Sequence, residues 1–479
     1  MLCQSPFSQL NSSQDCKKLY QFLEFCKEQA VLSGQTKIAS VALETAAIDP
    51  LTVLHRFAAG QVHFYFENRD GGAAVAAFDP IISSEISGAE RFVEAQRFTQ
   101  DCFARLLFNL PAQSWEQTRD QNWAAPCIFS SFSFFDQAGS AAPFAPATLF
   151  LPRWQIARQQ NSGRVTVNWP IDAVAKISEI TQTIWQQIQT IQRLSAEHFY
   201  LVESQLSQLN RWTIIDNHPF QTGVISALAS IQNRAYKKLV LAHAIDVYAE
   251  LPFQGCQSLH HLRQLHPDCA VFSVSNGRQS FIGASPERLL SIRQRHLITD
   301  ALAGSASRGR TVSEDRRLAS RLLQNAKEQH EHRLVVEFIA QELLELGLHP
   351  SYASRPSLRQ LANIQHLHTP IQTQLPPDLH PMQLVAALHP TPAVAGMPRQ
   401  TACEQILRYE PFDRSLYAAP LGWLDAEGNA EFIVGIRSAL LDGHHARLYA
   451  GAGIVAGSDP EREFAEVKLK LQALLRGLV

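Results

Sequence analysis

In the second half of this 479-residue chain, strand-like runs follow one another without a regular alternation with helices. Turn signals separate these runs at Asn276-Gly277, Asp425–Asn429 and Asp442-Gly443. Strands grouped in this way favour an antiparallel arrangement, because a doubly wound parallel sheet requires strands and helices in alternation. The pattern therefore predicts an α+β fold with an antiparallel core.

The first half of the chain has strand and hairpin signals but no concentration of chemically active side chains. The runs VHFYF and AAVAAF predict a hairpin that turns at Asp70-Gly71. We therefore divide the chain into an N-terminal α/β half at 1–220 and a second half at 221–479 that carries the chemistry.

The composition is typical of a globular enzyme, with 46% hydrophobic and 18% charged residues. The formal net charge is −2 and no long run of like charges occurs, which argues against a nucleic-acid or anionic-membrane partner. The eight cysteines form no CxxC pair, so no zinc or redox pattern is present. Because the start of the chain lacks a signal-peptide pattern and no run of about 18 apolar residues occurs, we expect a cytoplasmic protein that acts on a small molecule.

The last helical segment, 460–478, has a clear start, because Asp459 can cap it and a proline occupies its first position. With this register, Glu463, Glu466 and Lys470 fall on one helix face at about 100° per residue. Such a face has an ordinary alternative as a solvated surface with an i,i+4 pair between Glu466 and Lys470. The pattern alone leaves both interpretations open.

A second acidic pair, Glu328 and Glu331, lies in a long segment of helical periodicity at 316–346. Carboxylates from two helices that met in one pocket would repel each other unless a cation lay between them. An all-oxygen set suits Mg²⁺, which keeps water molecules that a substrate can displace. His330 and His332 flank Glu331 but diverge around the helix, so we interpret each as a packing or supporting residue rather than a ligand.

The second half resembles the chorismate-binding family, which includes isochorismate, salicylate, anthranilate and aminodeoxychorismate synthases. The resemblance depends on many separate motifs that occur in order. The matching strings are KLVLAHA (238–244), FIGASPERLL (281–290), LAGSASRG (302–309), EQHEHRLVVEFI (328–339), NIQHLHT (363–369), HPTPAVAGMP (389–398), RSLYAAPLGW (414–423), FIVGIRSA (432–439) and YAGAGIVAGSDPEREFAEVKLK (449–470). The family implies a large antiparallel core of two sheets with helices on the outer faces.

The resemblance also implies a magnesium cofactor and chorismate, a small dicarboxylate, as substrate. In the family, Glu331 and Glu466 match metal ligands, and Glu463 matches a residue that supports the metal through water. An arginine suits a carboxylate because its guanidinium offers two parallel donors. Substrate contact is assigned to the side chains of Tyr417, Arg437 and Lys470, to the backbone of Gly304, Ser305 and Gly451, and to His366. Without the family, His366 is equally a core histidine and Arg437 an exposed strand arginine.

The implied reaction is the reversible conversion of chorismate to isochorismate, in which water attacks ring carbon 2 and the hydroxyl on carbon 4 leaves. This reaction needs a general base and a general acid on opposite sides of the substrate. The resemblance makes Lys238 the base and Glu287 the acid. Lys237 and Lys238 point to opposite faces of a strand, so only one can enter the site. On sequence alone, the more usual interpretation of Lys238 is a lysine that reaches solvent, and that of Glu287 is an exposed bend residue.

Two positions favour water over ammonia as the nucleophile. Aminating relatives generally carry glutamine where this chain has Lys238, and aminodeoxychorismate synthases carry a lysine where it has Ala303. We therefore expect no glutaminase partner. The residues leave open whether the reaction stops at isochorismate or continues to salicylate by loss of pyruvate. The long first half favours the isochorismate synthases of quinone biosynthesis, menaquinone or phylloquinone.

The chain departs from the family pattern at a few positions. His243 stands where the family often has arginine, and Phe464 and Val467 replace a common pattern around Glu466. These departures concern substrate positioning rather than the metal carboxylates. A catalytically inactive binding homologue is a further alternative, which the joint retention of the predicted catalytic and metal-binding residues argues against; these are Lys238, Glu287, Glu331 and Glu466. The oligomeric state is not encoded in a pattern that we can interpret.

Overall fold

The computed structural model describes residues 13–69, 72–108, 123, 125–139, 142–194, 212–362 and 364–478. Within these residues the helices are α1 (Ser13–Ser33), α2 (Pro50–Phe57), α3 (Arg91–Ala104), α4 (Ile177–Arg193), α5 (Phe220–Gln232), α6 (Gly255–Leu265), α7 (Val312–Gln324), α8 (Ala326–Glu345), α9 (Pro381–Leu388), α10 (Arg399–Tyr409) and α11 (Pro460–Leu478). The strands are β1 (Lys37–Ala46), β2 (Val62–Glu67), β3 (Ala73–Ile86), β4 (Leu106–Phe108), β5 (Cys127–Phe132), β6 (Ala147–Gln159), β7 (Ser162–Ile171), β8 (Trp212–Ile215), β9 (Lys238–Ala249), β10 (Ala270–Asn276), β11 (Ser280–Ser285), β12 (Arg288–Arg293), β13 (His296–Ser307), β14 (Ser351–Tyr352), β15 (Ser357–Gln360), β16 (Ile364–Gln374), β17 (Gly396–Met397), β18 (Pro420–Asp425), β19 (Ala430–Val434), β20 (Ser438–Asp442) and β21 (His445–Val455).

These 21 strands form one hydrogen-bonded network. Among the described strands, β1 with β4 is the parallel pair and all other pairs are antiparallel. The network has two long arms that meet where β3 pairs with β6. One arm runs β3, β2, β10, β11, β20, β21, β9, and the other runs β6, β5, β18, β19, β12, β13, β16.

The two arms fold over one another and enclose the core. Phe64 of β2 and Phe129 of β5 belong to different arms, yet their ring centroids lie 5.1 Å apart. In a flat sheet these strands would be separated by three strand spacings, about 14 Å. The arms therefore stack as two sheets with a buried apolar layer between them. Helices pack against these sheets, with α8 on β13 and α11 on β21. The predicted α+β fold with a large antiparallel two-sheet core is confirmed.

One helix prediction is wrong in its extent. The segment 316–346, predicted as continuous, consists of α7 and α8 with a break at Asn325. The Asn325 side chain accepts hydrogen bonds from the backbone N–H groups of Lys327 at 3.0 Å and Glu328 at 3.3 Å. Asparagine is a strong N-cap, so it starts a new helix here. Glu328 and Glu331 consequently stand in the first two turns of α8, not in the middle of a long helix.

The other predicted connections are observed. The three turns predicted in the second half join the antiparallel pairs β10–β11, β18–β19 and β20–β21. Strands β2 and β3 pair as the predicted hairpin, while its turn at Asp70-Gly71 lies outside the described residues. Helix α11 begins directly after Asp459, whose carboxylate accepts a hydrogen bond from a backbone N–H of the first turn.

The division of the chain into 1–220 and 221–479 stays a prediction. Strands from the two parts share the network, since β2 pairs with β10 and β5 pairs with β18. Across the described ranges, no helix is both long and apolar enough to cross a membrane.

Candidate active site

Residues from both arms and from helices α8 and α11 line a cavity of about 110 Å³. It shares part of its wall with a larger cavity of about 450 Å³. The side chain of Glu287 lines the smaller cavity. So do all residues predicted for substrate or metal contact, which are Gly304, Ser305, Glu331, His366, Tyr417, Arg437, Gly451, Glu463, Glu466 and Lys470.

Lys238 is the first residue of β9, and its Nζ atom reaches the cavity wall at Glu331. Its side chain is fully buried, whereas that of Lys237, directly before the strand, is exposed. The Nζ atom of Lys238 lies 2.9 Å from Oε1 of Glu331, although the angles of approach do not suit a hydrogen bond. This closeness depends on Gly453 of β21, because a Cβ atom there would overlap that carboxylate and lie 3.1 Å from Cε of Lys238.

Glu287 follows Pro286 in the bend between β11 and β12 and is 5% exposed. The Ser285 hydroxyl holds this bend, because it accepts a hydrogen bond from the backbone N–H of Glu287 at 3.2 Å and donates one to the carbonyl of Val434 at 2.6 Å. Burial raises the pKa of the Glu287 carboxyl to about 8, against the opposing charge of Lys238. The carboxyl is therefore protonated at neutral pH and able to donate a proton.

Gly304 forms a bulge in β13, where the register with β16 shifts between Ala303 and Ser305. Its φ of 76° is a conformation that glycine adopts without strain. The backbone N–H of Ser305 donates a hydrogen bond to Oε2 of Glu328 at 3.0 Å. A Cβ atom at Gly304 would lie 3.1 Å from the backbone oxygen of Glu328. The bulge thus brings the predicted backbone groups against α8, where Glu328 engages one of them.

His366 of β16 joins two other predicted substrate residues. Its Nδ1 atom lies 2.9 Å from the Ser305 hydroxyl, and its Nε2 atom lies 3.0 Å from Nη2 of Arg437. Because a guanidinium can only donate, Nε2 accepts and Nδ1 carries the proton. Burial, reinforced by the charge of Arg437, holds the pKa of His366 well below its usual value, so the ring is neutral. The ring therefore orients the guanidinium within the cavity.

Arg437 presents a half-buried guanidinium to the cavity. Its φ of 50° lies in the left-handed region, so the surrounding structure holds the backbone in an uncommon conformation. Its contact with His366 is to a neutral ring, and in the described part of the chain no carboxylate lies within ion-pair distance of it. A cation in this environment favours an anionic ligand.

Helix α11 brings Glu463, Glu466 and Lys470 to the cavity on one face, as its register predicted. Nζ of Lys470 lies 2.8 Å from Oε1 of Glu466 and 2.8 Å from the carbonyl oxygen of Gly451. The i,i+4 pair expected of a solvated face is therefore present, but it lies in the cavity wall rather than on an open surface.

The Tyr417 hydroxyl reaches the same wall beside Gly451. Its ring stacks on Tyr449 with centroids 5.2 Å apart and planes at 17°. A Cβ atom at Gly451 would lie 2.9 Å from the hydroxyl oxygen, so only glycine leaves room for it there. Burial raises the pKa of Tyr417 above its ordinary value, which keeps the hydroxyl a hydrogen-bond donor.

Four carboxylates line one side of the cavity, from Glu328 and Glu331 of α8 and from Glu463 and Glu466 of α11. Burial raises the pKa of Glu328, with a further rise from Glu331, and burial raises the pKa of Glu463 against the charge of Lys327. Burial alone would raise the pKa of Glu466, but the charge of Lys470 and its hydrogen bond outweigh this effect. The pKa of Glu466 therefore lies below its usual value.

This oxygen-only set has the chemistry that Mg²⁺ prefers. Among the described residues, no three acidic, histidine or cysteine side chains converge closely enough to hold an ion as they stand. The carboxylates fit the ion in kind and location, and they must turn toward one another to bind it.

Sequence reasoning missed Lys327 of α8. Its Nζ atom lies 3.0 Å from Oε1 of Glu463 and 3.5 Å from Oε1 of Glu328, so the ammonium bridges the two acidic helices. The only local signal was its place directly before Glu328. Glu463 is 136 residues away in the chain, beyond the reach of any helical pattern.

His330, His332 and the residues that depart from the family pattern do not line this cavity. The rings of His243 and Phe464 contact each other with centroids 5.5 Å apart, and Nε2 of His243 lies 2.9 Å from Oδ1 of Asp216. These departures therefore alter packing beside β9 rather than the cavity lining. His332 is buried and contacts the Thr369 hydroxyl, while His330 is exposed, in agreement with the interpretation that neither is a ligand.

The cavity brings the buried carboxyl of Glu287 together with the cationic side chains of Arg437 and Lys470, and Lys238 contacts its wall at Glu331. The sequence profile of the family described as chorismate binding enzyme matches residues 23–479. The chain therefore belongs to the chorismate binding enzyme family, and the resemblance drawn from the motifs is confirmed.

Relatives within this family cover the chain to different extents. The isochorismate synthase MenF of Bacillus subtilis is 28% identical over 452 residues, which are 92% of this chain and 93% of that protein. The salicylate biosynthesis isochorismate synthase of Pseudomonas aeruginosa is 42% identical over 263 residues, and this match spans 55% of each chain. The solved structure of MenF, the menaquinone-specific isochorismate synthase of Escherichia coli, superposes with a TM-score of 0.72 at 26% identity and covers 96% of this chain and 100% of that chain.

Proposed function

We propose that this protein is an isochorismate synthase, an isomerase that converts chorismate reversibly to isochorismate. The observation that carries the proposal is a buried, protonated Glu287 in the wall of a cavity whose wall also holds Glu331, the contact of the fully buried Lys238. The curated relatives named isochorismate synthase support this choice within the family. The relatives named MenF further support a role in menaquinone biosynthesis.

Chorismate has two carboxylates, and the cavity offers groups suited to both. Arg437 has two donor edges and no acidic partner among the described residues, so it suits a carboxylate of the substrate. Lys470 and the Tyr417 hydroxyl lie on the wall formed by β21 and are assigned to the other carboxylate. His366 keeps the guanidinium of Arg437 in position through a neutral ring.

In the proposed reaction, Lys238 is the general base that takes a proton from a water molecule, whose oxygen bonds to ring carbon 2. The ring electrons shift, and the bond between carbon 4 and its hydroxyl breaks. Glu287 gives its proton to this hydroxyl, which leaves as water. One water is consumed and one is released, so substrate and product are isomers. In the reverse direction, Lys238 acts as the acid and Glu287 as the base.

The proposed magnesium site consists of Glu331, Glu463 and Glu466, with Glu328 beside them. When bound there, the ion supplies charge neutralisation for a substrate carboxylate and for the charge that develops in the reaction. Ala303 at the cavity wall has no nucleophilic atom, which supports water as the attacking group.

Product identification tests the proposal. Purified protein is incubated with chorismate and Mg²⁺, and the products are separated by liquid chromatography. We expect isochorismate without salicylate or pyruvate. A salicylate synthase would release both, and an aminating enzyme would form anthranilate when ammonium is added. The absence of isochorismate with and without ammonium would overturn the proposal.

A further inference from the structure

Three lysines lie against the acidic side of the cavity. Lys238 lies 2.9 Å from Glu331, and Lys470 lies 2.8 Å from Glu466. The proposed reaction already uses both of these lysines. Lys327 is the third, and the proposed reaction gives it no part.

Lys327 differs from the others because it contacts one carboxylate from each acidic helix. Its Nζ atom lies 3.0 Å from Oε1 of Glu463 on α11 and 3.5 Å from Oε1 of Glu328 on α8. The N-cap at Asn325 fixes its place in the first turn of α8, directly before Glu328. Its ammonium therefore lies between carboxylates of the two acidic helices.

An ammonium and a divalent cation repel each other strongly when they share the same carboxylates. The carboxylates must also turn toward an incoming ion, which breaks their contacts with Lys327. The side chain has an alternative place, because Lys327 also lines the larger cavity of about 450 Å³.

We propose that Lys327 is an internal counter-ion that holds α8 and α11 together in the metal-free protein and that Mg²⁺ displaces. The inference rests on the proposed magnesium site. Because metal and lysine compete, Lys327 lowers the affinity for Mg²⁺ and sets the concentration at which the site fills.

Calorimetric titration of the substrate-free protein with MgCl₂ tests this competition. Lys327→Met should bind Mg²⁺ more tightly than the unmodified protein, by about 5- to 150-fold, the usual range of coupling between two ligands. Lys468→Met is the matched control, because Lys468 is exposed on α11 and stacks its ammonium 4.0 Å from the Phe464 ring. This control removes the same charge without touching the carboxylates and should leave the Kd near its original value.

Thermal unfolding gives a second readout. In EDTA, Lys327→Met should have a lower Tm than the unmodified protein, and Mg²⁺ should raise the Tm of the variant by more. An unchanged or weaker Mg²⁺ affinity in Lys327→Met, with a Tm deficit that is equal in EDTA and in Mg²⁺, would overturn the inference and make Lys327 a structural residue only. If the unmodified protein itself binds no Mg²⁺, the proposed magnesium site fails, and this inference fails with it.

Discussion

Lys237 and Lys238 are adjacent, yet one is exposed and the other is fully buried against Glu331. If Lys238 activates water, Lys238→Ala should lower kcat by roughly 10²- to 10⁴-fold with KM nearly unchanged. Lys237→Ala should have little effect on either constant. Both variants are assayed with chorismate and with isochorismate at saturating Mg²⁺.

The two lysine variants also separate the ways in which this prediction can fail. If Lys237→Ala lowered kcat more than Lys238→Ala, the assigned strand register would be wrong. Full activity in both variants would remove water activation by lysine from the mechanism.

The raised pKa of Glu287 links stability to pH. The pKa rises from an ordinary value of 4.5 to about 8 in the folded protein, so the folded state keeps a proton that the unfolded chain loses. The stabilisation from this group is fully present below about pH 4.5, declines as pH rises to about 8, and is lost above that. The side chain of Glu287→Gln cannot ionise and has no such pH dependence. The Tm of this variant relative to that of the unmodified protein should therefore rise as the pH increases from 4.5 to about 8, which thermal unfolding would measure.

The same ionisation should limit catalysis. Glu287→Gln keeps the shape of the side chain but cannot donate a proton, so turnover should fall by roughly 10²- to 10⁴-fold in both directions. In the unmodified protein, kcat/KM for chorismate should decline above about pH 8 as Glu287 loses its proton. A rate that stays level through this range, together with an active Glu287→Gln variant, would contradict the assignment of the acid.

At the scale of elements, strand β21 makes room for the site because it carries no side chain at Gly453. A methyl group at Gly453 would overlap the Glu331 carboxylate and crowd Lys238. Gly453→Ala should therefore reduce kcat and weaken Mg²⁺ binding, because Glu331 must move away from the cavity. Gly255→Ala is the control, since a methyl group there meets nothing within 4 Å. Steady-state kinetics and a magnesium titration compare the two variants. Equal activity in both would show that Glu331 can shift to accommodate the methyl group without loss of catalysis.

At the scale of the whole molecule, α8 and α11 come together only because each packs on a different arm of the strand network. Their convergence predicts that EDTA abolishes turnover and that Mg²⁺ restores it. Glu331→Ala and Glu466→Ala should lose the metal-dependent activity without unfolding, because each removes a proposed metal ligand. Glu337→Ala, at an exposed position of α8, should behave like the unmodified protein. Full activity in metal-free buffer would refute the metal requirement.

Local patterns in the sequence were sufficient for the fold class and for one face of the site. Tight turns between grouped strands predicted antiparallel pairs, and the cap at Asp459 set the register that brings Glu463, Glu466 and Lys470 together. The family motifs named further residues that line the cavity. The break at Asn325 was also readable, because an asparagine followed three residues later by glutamate is a start signal for a helix. The long periodicity on both sides of it obscured that signal.

Only the tertiary structure decided how these residues meet and in which charge state. Glu287 is protonated at neutral pH because the stacked arms exclude water from its bend, and burial is not encoded in a short motif. Lys327 meets Glu463 across 136 residues, a contact that depends on where two helices dock. Sequence periodicity determines which face a side chain occupies, whereas its partners and its protonation depend on long-range packing that brings distant segments out of water together.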